Sequence, residues 1–483
     1  MTDLTTSLSI DFSLVSPEIA LLVAASLVLL ISFMKRISRL APTIAVVGFA
    51  TAFGLAVAQW DHQGAGFAGM VTCDRFAVMF KMLFIVGSAL SLFIAYRYFR
   101  IKGIDRPEFY ALLLISTMGM MVMASTTDLV VMFLGLEIMS VPLYVMAGFQ
   151  RRRLESNEAG IKYFIMGAFA TGFLLMGIAF IYGAAETTNL RRIVTDFAYI
   201  AANSTLYFYT GASLVLVGFG FKVAAVPFHT WVPDVYHGAP TPVTAFFSVG
   251  PKAAGFAALL RIFSFGLADL QALSTVLWVL AVLTMSVGNL LALRQENVKR
   301  MLAYSSIAHA GYILVAVAVG GPVAVSAAIF YLVAYTMFNL GAFAVITVLE
   351  ARAGCKSEFS ELAGLSKSNP YLTVLLAVFM FALAGFPPTV GFFGKFYIFS
   401  AAVQAGYIWL AVIGVMNSFV SVYYYLRVVK VSYFDSFEGM PVPARVTSSI
   451  FVVLLITTLG TLGLGFFPQE LLDLSQRAIF ALL

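Results

Sequence analysis

A helix needs about 20 apolar residues to cross the hydrocarbon core of a bilayer, and this chain supplies such a stretch fourteen times. The stretches fall near 17–34, 40–60, 76–96, 109–126, 128–149, 160–183, 208–229, 241–264, 272–293, 303–320, 323–349, 371–403, 407–433 and 446–467. A soluble domain has no way to bury that much apolar surface, since 61% of the 483 residues are hydrophobic and only 11% are charged. Lipid offers the backbone no hydrogen-bond partners, so each stretch is expected to be helical unless something within it forbids helix. The expected fold is all-α and polytopic, about fourteen transmembrane helices with short loops and no soluble domain.

The N-terminal Met1 to Phe12 carries Asp3 and Asp11 and no basic residue, so the first apolar run reads as a spanning helix rather than a cleaved signal peptide, and no targeting segment is evident. Cys73 and Cys355 are far apart and form neither a disulfide framework nor a metal-binding CxxC. Four histidines, His62, His229, His237 and His309, are too scattered for a bis-histidine haem site, and no GxGxxG or Walker loop is present. No cofactor, metal or redox centre is therefore expected in this chain. The net charge of +6 does not signal nucleic acid, because the basic residues cluster along one membrane face. With the loops taken alternately, nineteen Lys and Arg fall on one side, among them Lys35, Arg151, Arg152, Arg153, Arg352, Lys356 and Arg445. The other side holds only Arg75, Arg191, Arg192 and Arg477. By the positive-inside rule both termini are expected on the non-cytoplasmic side.

Six of the 29 basic residues lie within the spans: Lys81, Lys162, Lys222, Lys252, Arg261 and Lys395. An ionisable residue at mid-bilayer costs about 2.5–3.5 kcal/mol on insertion scales, so it usually faces protein or water and takes part in transport. Lys222, Lys252 and Glu137 are central in their spans, out of reach of the headgroups, and are expected to be functional. Lys81, Arg261 and Lys162 lie nearer span ends, where a long aliphatic stem can carry the charge to the surface, and are expected to snorkel.

The stretch 371–403 is too long for one straight crossing. It contains Gly385-Phe386-Pro387-Pro388 ahead of Lys395, so a broken helix is expected there. Lys222 likewise precedes Pro227 by five residues. The two interrupted helices are the seventh and the twelfth, an odd offset that makes the two halves of the chain run in opposite directions. That is the mark of an inverted repeat, helices four to eight (109–264) matching nine to thirteen (272–433), after helices one to three (1–100) and before helix fourteen and its tail (446–483). Broken helices expose carbonyls and amides that can hold water or an ion, and a buried lysine holds its proton more or less tightly as a carboxylate such as Glu137 approaches or withdraws. His309, among small and hydroxylated residues in helix ten, reads first as a packing residue and second as a proton relay. His229 directly follows the Pro227 break. His237 and His62 read as loop residues, Lys299 as a positive-inside flank, and the aromatics as packing and interface anchors.

At these residues the chain resembles the antiporter-like membrane subunits of respiratory complex I, most closely their N branch. The sharpest stretches are Pro227-Phe228-His229-Thr230-Trp231-Val232-Pro233-Asp234-Val235-Tyr236, Gly238 to Phe246, and Lys299 to Tyr312. The resemblance implies two inverted five-helix repeats and a proton pathway on Glu137, Lys222, Lys252 and Lys395. It adds Lys162 as the family's helix-six lysine, with His229, Lys299 and His309 in lesser roles. In the M branch glutamate stands where this chain has Lys395, and the L branch extends past helix fourteen, whereas this chain ends at Leu483. The presence of the first three helices favours a bacterial source over a vertebrate mitochondrial one, and the plastid-type homologue stays open. FMN, iron–sulfur clusters and quinone are expected in other subunits. The implied partners are further antiporter-like and small helical membrane subunits and the lipid bilayer. An ion-translocating subunit of a multi-subunit sodium/proton antiporter is the alternative, and a stand-alone metabolite carrier a weaker one.

Overall fold

The computed structural model describes residues 10–34, 36–266, 271–351, 357–436 and 446–479. Lys35, Arg352, Lys356 and Arg445, used above in the charge count, and Cys355 lie outside the described residues. The spanning helices are α1 (Ser16–Ser32), α2 (Ala41–Ala58), α3 (Arg75–Lys102), α4 (Pro107–Ala124), α5 (Leu129–Ala147), α6 (Leu154–Ala185), α7 in two pieces (α7a, Thr205–Val223; α7b, Trp231–Gly238), and α8 (Thr241–Leu259). They continue as α9 (Gln271–Ala292), α10 (Val298–Val319), α11 (Gly321–Glu350), α12 in two pieces (α12a, Pro370–Ala384; α12b, Val390–Gln404), α13 (Ile408–Phe434) and α14 (Ser448–Phe466). Among the described residues thirteen helices are long and apolar enough to cross a membrane, and the expected crossing over 371–403 is the pair of shorter helices α12a and α12b. α8, α10 and α11 are almost wholly enclosed, whereas α6, α13 and α14 are mostly open at the periphery. The enclosed helices pack on both flanks: α8 touches α3 and α11, and α11 touches α12b and α14.

The loops are less plain than expected. A two-stranded hairpin, β1 (Gly64–Gly66) and β2 (Val71–Cys73), joins α2 to α3, and two short helices, Leu190–Thr195 and Phe197–Asn203, fill the connection from α6 to α7a. Backbone bridges Val71–Thr126 and Asp128–Asn189 knit these segments to the start of α5. Chain that folds over the end of a bundle has backbone groups to satisfy, and these short elements satisfy them. Asp128 also caps α5, accepting from Val130 and Val131, and takes the Thr188 hydroxyl on its other oxygen at 2.6 Å.

Lys81 and Arg261 do not snorkel. Lys81 is fully buried, with Nζ 2.8 Å from Glu18 Oε1, and it donates to the Leu14 carbonyl and to Gln59 Oε1. Arg261, in the π-helical turn Leu260–Gly266, makes a bidentate pair with Asp74 at 2.9 and 3.1 Å and donates to the Ala124 carbonyl at 2.7 Å. Distance from a span end tells how far a charge is from water along the helix axis. It does not tell which way the side chain faces, and both face inward, where carboxylates await them. The Lys81 pair clasps α1 and the end of α2 onto α3. Removing one partner of a buried pair leaves the other charged and dry, at about 3–5 kcal/mol. Lys81→Met is thus expected to lower the thermal midpoint of the purified protein sharply, and Lys81→Met with Glu18→Leu to restore most of it. Equal losses in the single and double variants would contradict the clasp.

Candidate functional site

Helix seven ends at Val223 because Ala224 takes a left-handed conformation (φ +66°) and Pro227 brings no N–H to continue the ladder. Lys222 is therefore in the last turn of α7a rather than at the centre of an unbroken span, where a cation also suits the helix dipole. The break is closed by side chains. Trp231 Nε1, first in α7b, donates to the Phe221 carbonyl at 3.0 Å, and Thr284 of α9 accepts from the Val226 N–H at 2.9 Å. Helix twelve breaks likewise at Gly385 (φ +89°), a backbone angle that suits glycine.

Three lysines lie deep within the bundle. Lys222 (4% exposed) donates to Ser140 Oγ at 2.7 Å and to Tyr163 OH at 3.4 Å, with the Tyr163 ring 5.5 Å away. Lys252 (3%) follows Pro251 in α8 and donates to the Ser306 carbonyl at 2.6 Å and to its hydroxyl. Lys395 (5%) donates to the carbonyls of Leu383 and Ala384 at 3.1 and 2.9 Å and to Ser418 Oγ at 2.9 Å. Those two carbonyls end α12a and have no next turn to bond to, so the break itself supplies the ligands of the lysine. Glu137 is half-buried on α5, three residues from Ser140, and accepts from Thr171 Oγ1 at 2.8 Å. Ser140, not Glu137, touches the Lys222 amine.

The six buried Lys and Arg side chains among the described residues thus divide by partner. Lys81 and Arg261 are locked to carboxylates, and Lys299 has Glu350 at 3.8 Å. Lys222, Lys252 and Lys395 face hydroxyls and carbonyls, and no salt bridge reaches them among the described residues. A base held this way can take up or give away a proton without breaking an ion pair, which is what a transport relay requires. Between Lys252 and Lys395 stands His309, buried in α10, with Nδ1 2.6 Å from Tyr331 OH and Nε2 2.9 Å from Tyr425 OH.

The remaining candidates gather at α7b. Lys162 is not buried; it pairs with Glu158 at 2.7 Å and with Asp234 at 2.9 Å, and Asp234 also holds Arg300 at 2.9 Å. Lys299 is buried, not a surface flank, donating to the Ala239 carbonyl at 2.9 Å with Glu350 at 3.8 Å. His237 belongs to the last turn of α7b rather than to a loop, and His229 lies in the break between α7a and α7b, while His62 is an exposed loop residue as expected. Sequence reasoning missed Glu18, Asp74, Asp234, Glu350 and the tyrosines around His309. A carboxylate at a span edge carries no signal of its long-range partner, and a tyrosine in an aromatic-rich chain looks like packing.

The Lys395 site depends on a close approach. A Cβ on Gly391 would lie 1.9 Å from the Ala382 carbonyl oxygen, which belongs to backbone and cannot rotate away. Gly391→Ala should therefore push α12b off the end of α12a and lower stability by about 3 kcal/mol, read as a drop in the thermal midpoint of the purified protein. An unchanged midpoint would show that the two halves are not held this tightly.

Comparison with known proteins gives a consistent result. The transmembrane family described as NADH:quinone oxidoreductase/Mrp antiporter matches residues 126–421. NADH-quinone oxidoreductase subunit N of Trichlorobacter lovleyi is 46% identical over 474 residues, covering 98% of this chain and 97% of the relative. Subunit N 2 of Roseiflexus castenholzii is 45% identical over 467 residues, covering 94% of each. Among solved structures, a chain of respiratory complex I from Thermus thermophilus with bound aureothin superposes with a TM-score of 0.80 at 33% identity, covering 95% of this chain and 98% of that one. A chain of the Mrp complex from Dietzia sp. shares the fold, with a TM-score of 0.86 at 24% identity over 96% of each chain.

Proposed function

Since this chain belongs to the antiporter-like membrane proteins typified by NADH-quinone oxidoreductase subunit N, we propose that Lys222, Lys252 and Lys395, with Glu137 as a switch beside Lys222, form its proton pathway. The chain is a proton-translocating membrane subunit of NADH:quinone oxidoreductase and works among other membrane subunits. Its energy comes from quinone reduction elsewhere in the complex. In this reading the chain has no redox centre of its own, and FMN, iron–sulfur clusters and quinone belong to other subunits. The observation that carries the pathway is the partition of buried bases: three lysines at 3–5% exposure held by hydroxyls and carbonyls, beside three, Lys81, Arg261 and Lys299, with a carboxylate at ion-pair distance.

Each residue then has a part. Glu137, held by Thr171, sets how strongly Lys222 holds its proton, by its charge rather than by contact. Lys252 receives it at the middle of the molecule, and Lys395 holds it at the second break. His309 relays between them. Lys162, Lys299 and His229 border α7b and act at the approach to the row. Segments 109–264 and 272–433 are the two inverted repeats, each with one broken helix, flanked by 1–100 and 446–483. The protein sits in a bacterial inner membrane with both termini on the non-cytoplasmic side, the orientation that places the nineteen basic loop residues in the cytoplasm. The sodium/proton antiporter reading rests on the shared family and on fold similarity, while relatives at 45–46% identity are quinone oxidoreductase subunits.

The test is Lys252→Met in the assembled complex, with proton pumping and NADH:quinone reduction measured together. Pumping is expected to fall by about a hundredfold, the scale set by loss of a positioned proton-transfer group, and quinone reduction to fall with it. Wild-type values of both would remove Lys252 from the pathway.

A further inference from the structure

The stretch between Lys252 and His309 includes three buried polar atoms without a well-formed hydrogen bond. Ser248, one turn before Lys252 on α8, accepts from Asn339 Nδ2 at 2.6 Å, and Tyr335 lies one turn before Asn339 on α11. The hydroxyls of Tyr335 and of Tyr236, on α7b, both face Ser306, whose carbonyl and hydroxyl hold the Lys252 amine. Four elements, α7b, α8, α10 and α11, thus meet at one locus. Tyr236, Tyr335 and Asn339 are 0%, 2% and 1% exposed. Yet among the described residues no hydrogen bond of good geometry reaches Tyr236 OH, Tyr335 OH or Asn339 Oδ1, although the Ser306 hydroxyl is near both tyrosines. Phenylalanine would fill either tyrosine position without stranding a hydroxyl, so packing alone does not account for them.

On the far side, the Tyr335 ring lies 5.1 Å from the His309 ring, and His309 is three residues beyond Ser306 on α10. Tyr335 therefore has the Lys252 locus on one side and, on the other, the imidazole with its two hydroxyl partners, Tyr331 and Tyr425.

We propose that Tyr335, with Tyr236, is the proton-relaying group between Lys252 and His309, working through water held by the two hydroxyls and Asn339 Oδ1. The step balances. An N–H bond of the Lys252 ammonium breaks as an O–H bond forms on the relay, the relay's own hydroxyl proton passes by way of the Tyr331 or Tyr425 hydroxyl to the ring nitrogen of neutral His309 that carries no proton, and each tyrosine ends neutral, reset by rotation about its C–O bond. No oxidant or reductant is involved. This inference rests on Lys252 being in the pathway.

The experiment uses the assembled complex carrying Tyr335→Phe, Tyr236→Phe or both, with Lys252→Met alongside. The ring volume is kept, so the amount of complex is expected to stay at the wild-type level while the pumping rate of the double variant falls by about tenfold or more. A larger solvent deuterium isotope effect on that rate is also expected, because proton transfer becomes limiting, and a merely structural role would not produce it. If Lys252→Met fails to pump while the double variant pumps at the wild-type rate, the tyrosine relay is wrong and the lysine pathway stands. Wild-type pumping by Lys252→Met overturns the pathway and the relay with it. If the double variant does not assemble, the two single variants decide by the same criterion.

Discussion

Lys222→Met is expected to abolish proton pumping by this subunit and to cut quinone reduction by the whole complex by about a hundredfold. Methionine fills nearly the same space and leaves no charge behind, so the complex should still assemble. What is lost is the amine that Ser140 and Tyr163 hold at the end of α7a. A smaller companion effect is expected for Glu137→Gln, because Glu137 is bonded to Thr171 and acts on the amine at a distance rather than by direct contact. Proton uptake in reconstituted vesicles checks both variants. A larger defect in Glu137→Gln than in Lys222→Met would reverse their assigned order.

The second large effect concerns charge sign at the other break. Lys395→Glu is expected to lose most of the assembled complex, whereas Lys395→Gln should assemble but fail to pump. The lysine points at two carbonyls and a serine hydroxyl. An amide can still donate to those acceptors. A carboxylate meets acceptors only, and an uncompensated buried charge costs about 3–5 kcal/mol. The amount of complex in detergent extracts, compared for the two variants, reads this directly. Equal, wild-type amounts would mean that the side chain does not face the end of α12a.

Much of this architecture was legible before any coordinates. Span length and apolarity place the helices, and the prolines and glycines at 227 and 385–388 mark both breaks, because helix cannot tolerate them in lipid without help. Burial of Lys222, Lys252 and Lys395 follows from their depth. Their partners do not follow. Depth is a coordinate along one helix, whereas an ion pair depends on the azimuth of two. Lys81 and Arg261 therefore looked like surface-seeking residues until Glu18 and Asp74, 63 and 187 positions away, were found beside them. Lys299 misled in the same way, more enclosed than position suggested, whereas Lys162 is as open as its place near a span end implied. The stranded tyrosine hydroxyls had no sequence signal at all, since their meaning lies in what they fail to touch.

The absence of salt bridges to the three transport lysines also limits how many can be charged at once. With no carboxylate in ion-pair contact among the described residues, an ammonium on one raises the cost of an ammonium on the next through a medium that screens poorly. In the proposed pathway such a row would hold protons in single file, each leaving before its successor is admitted.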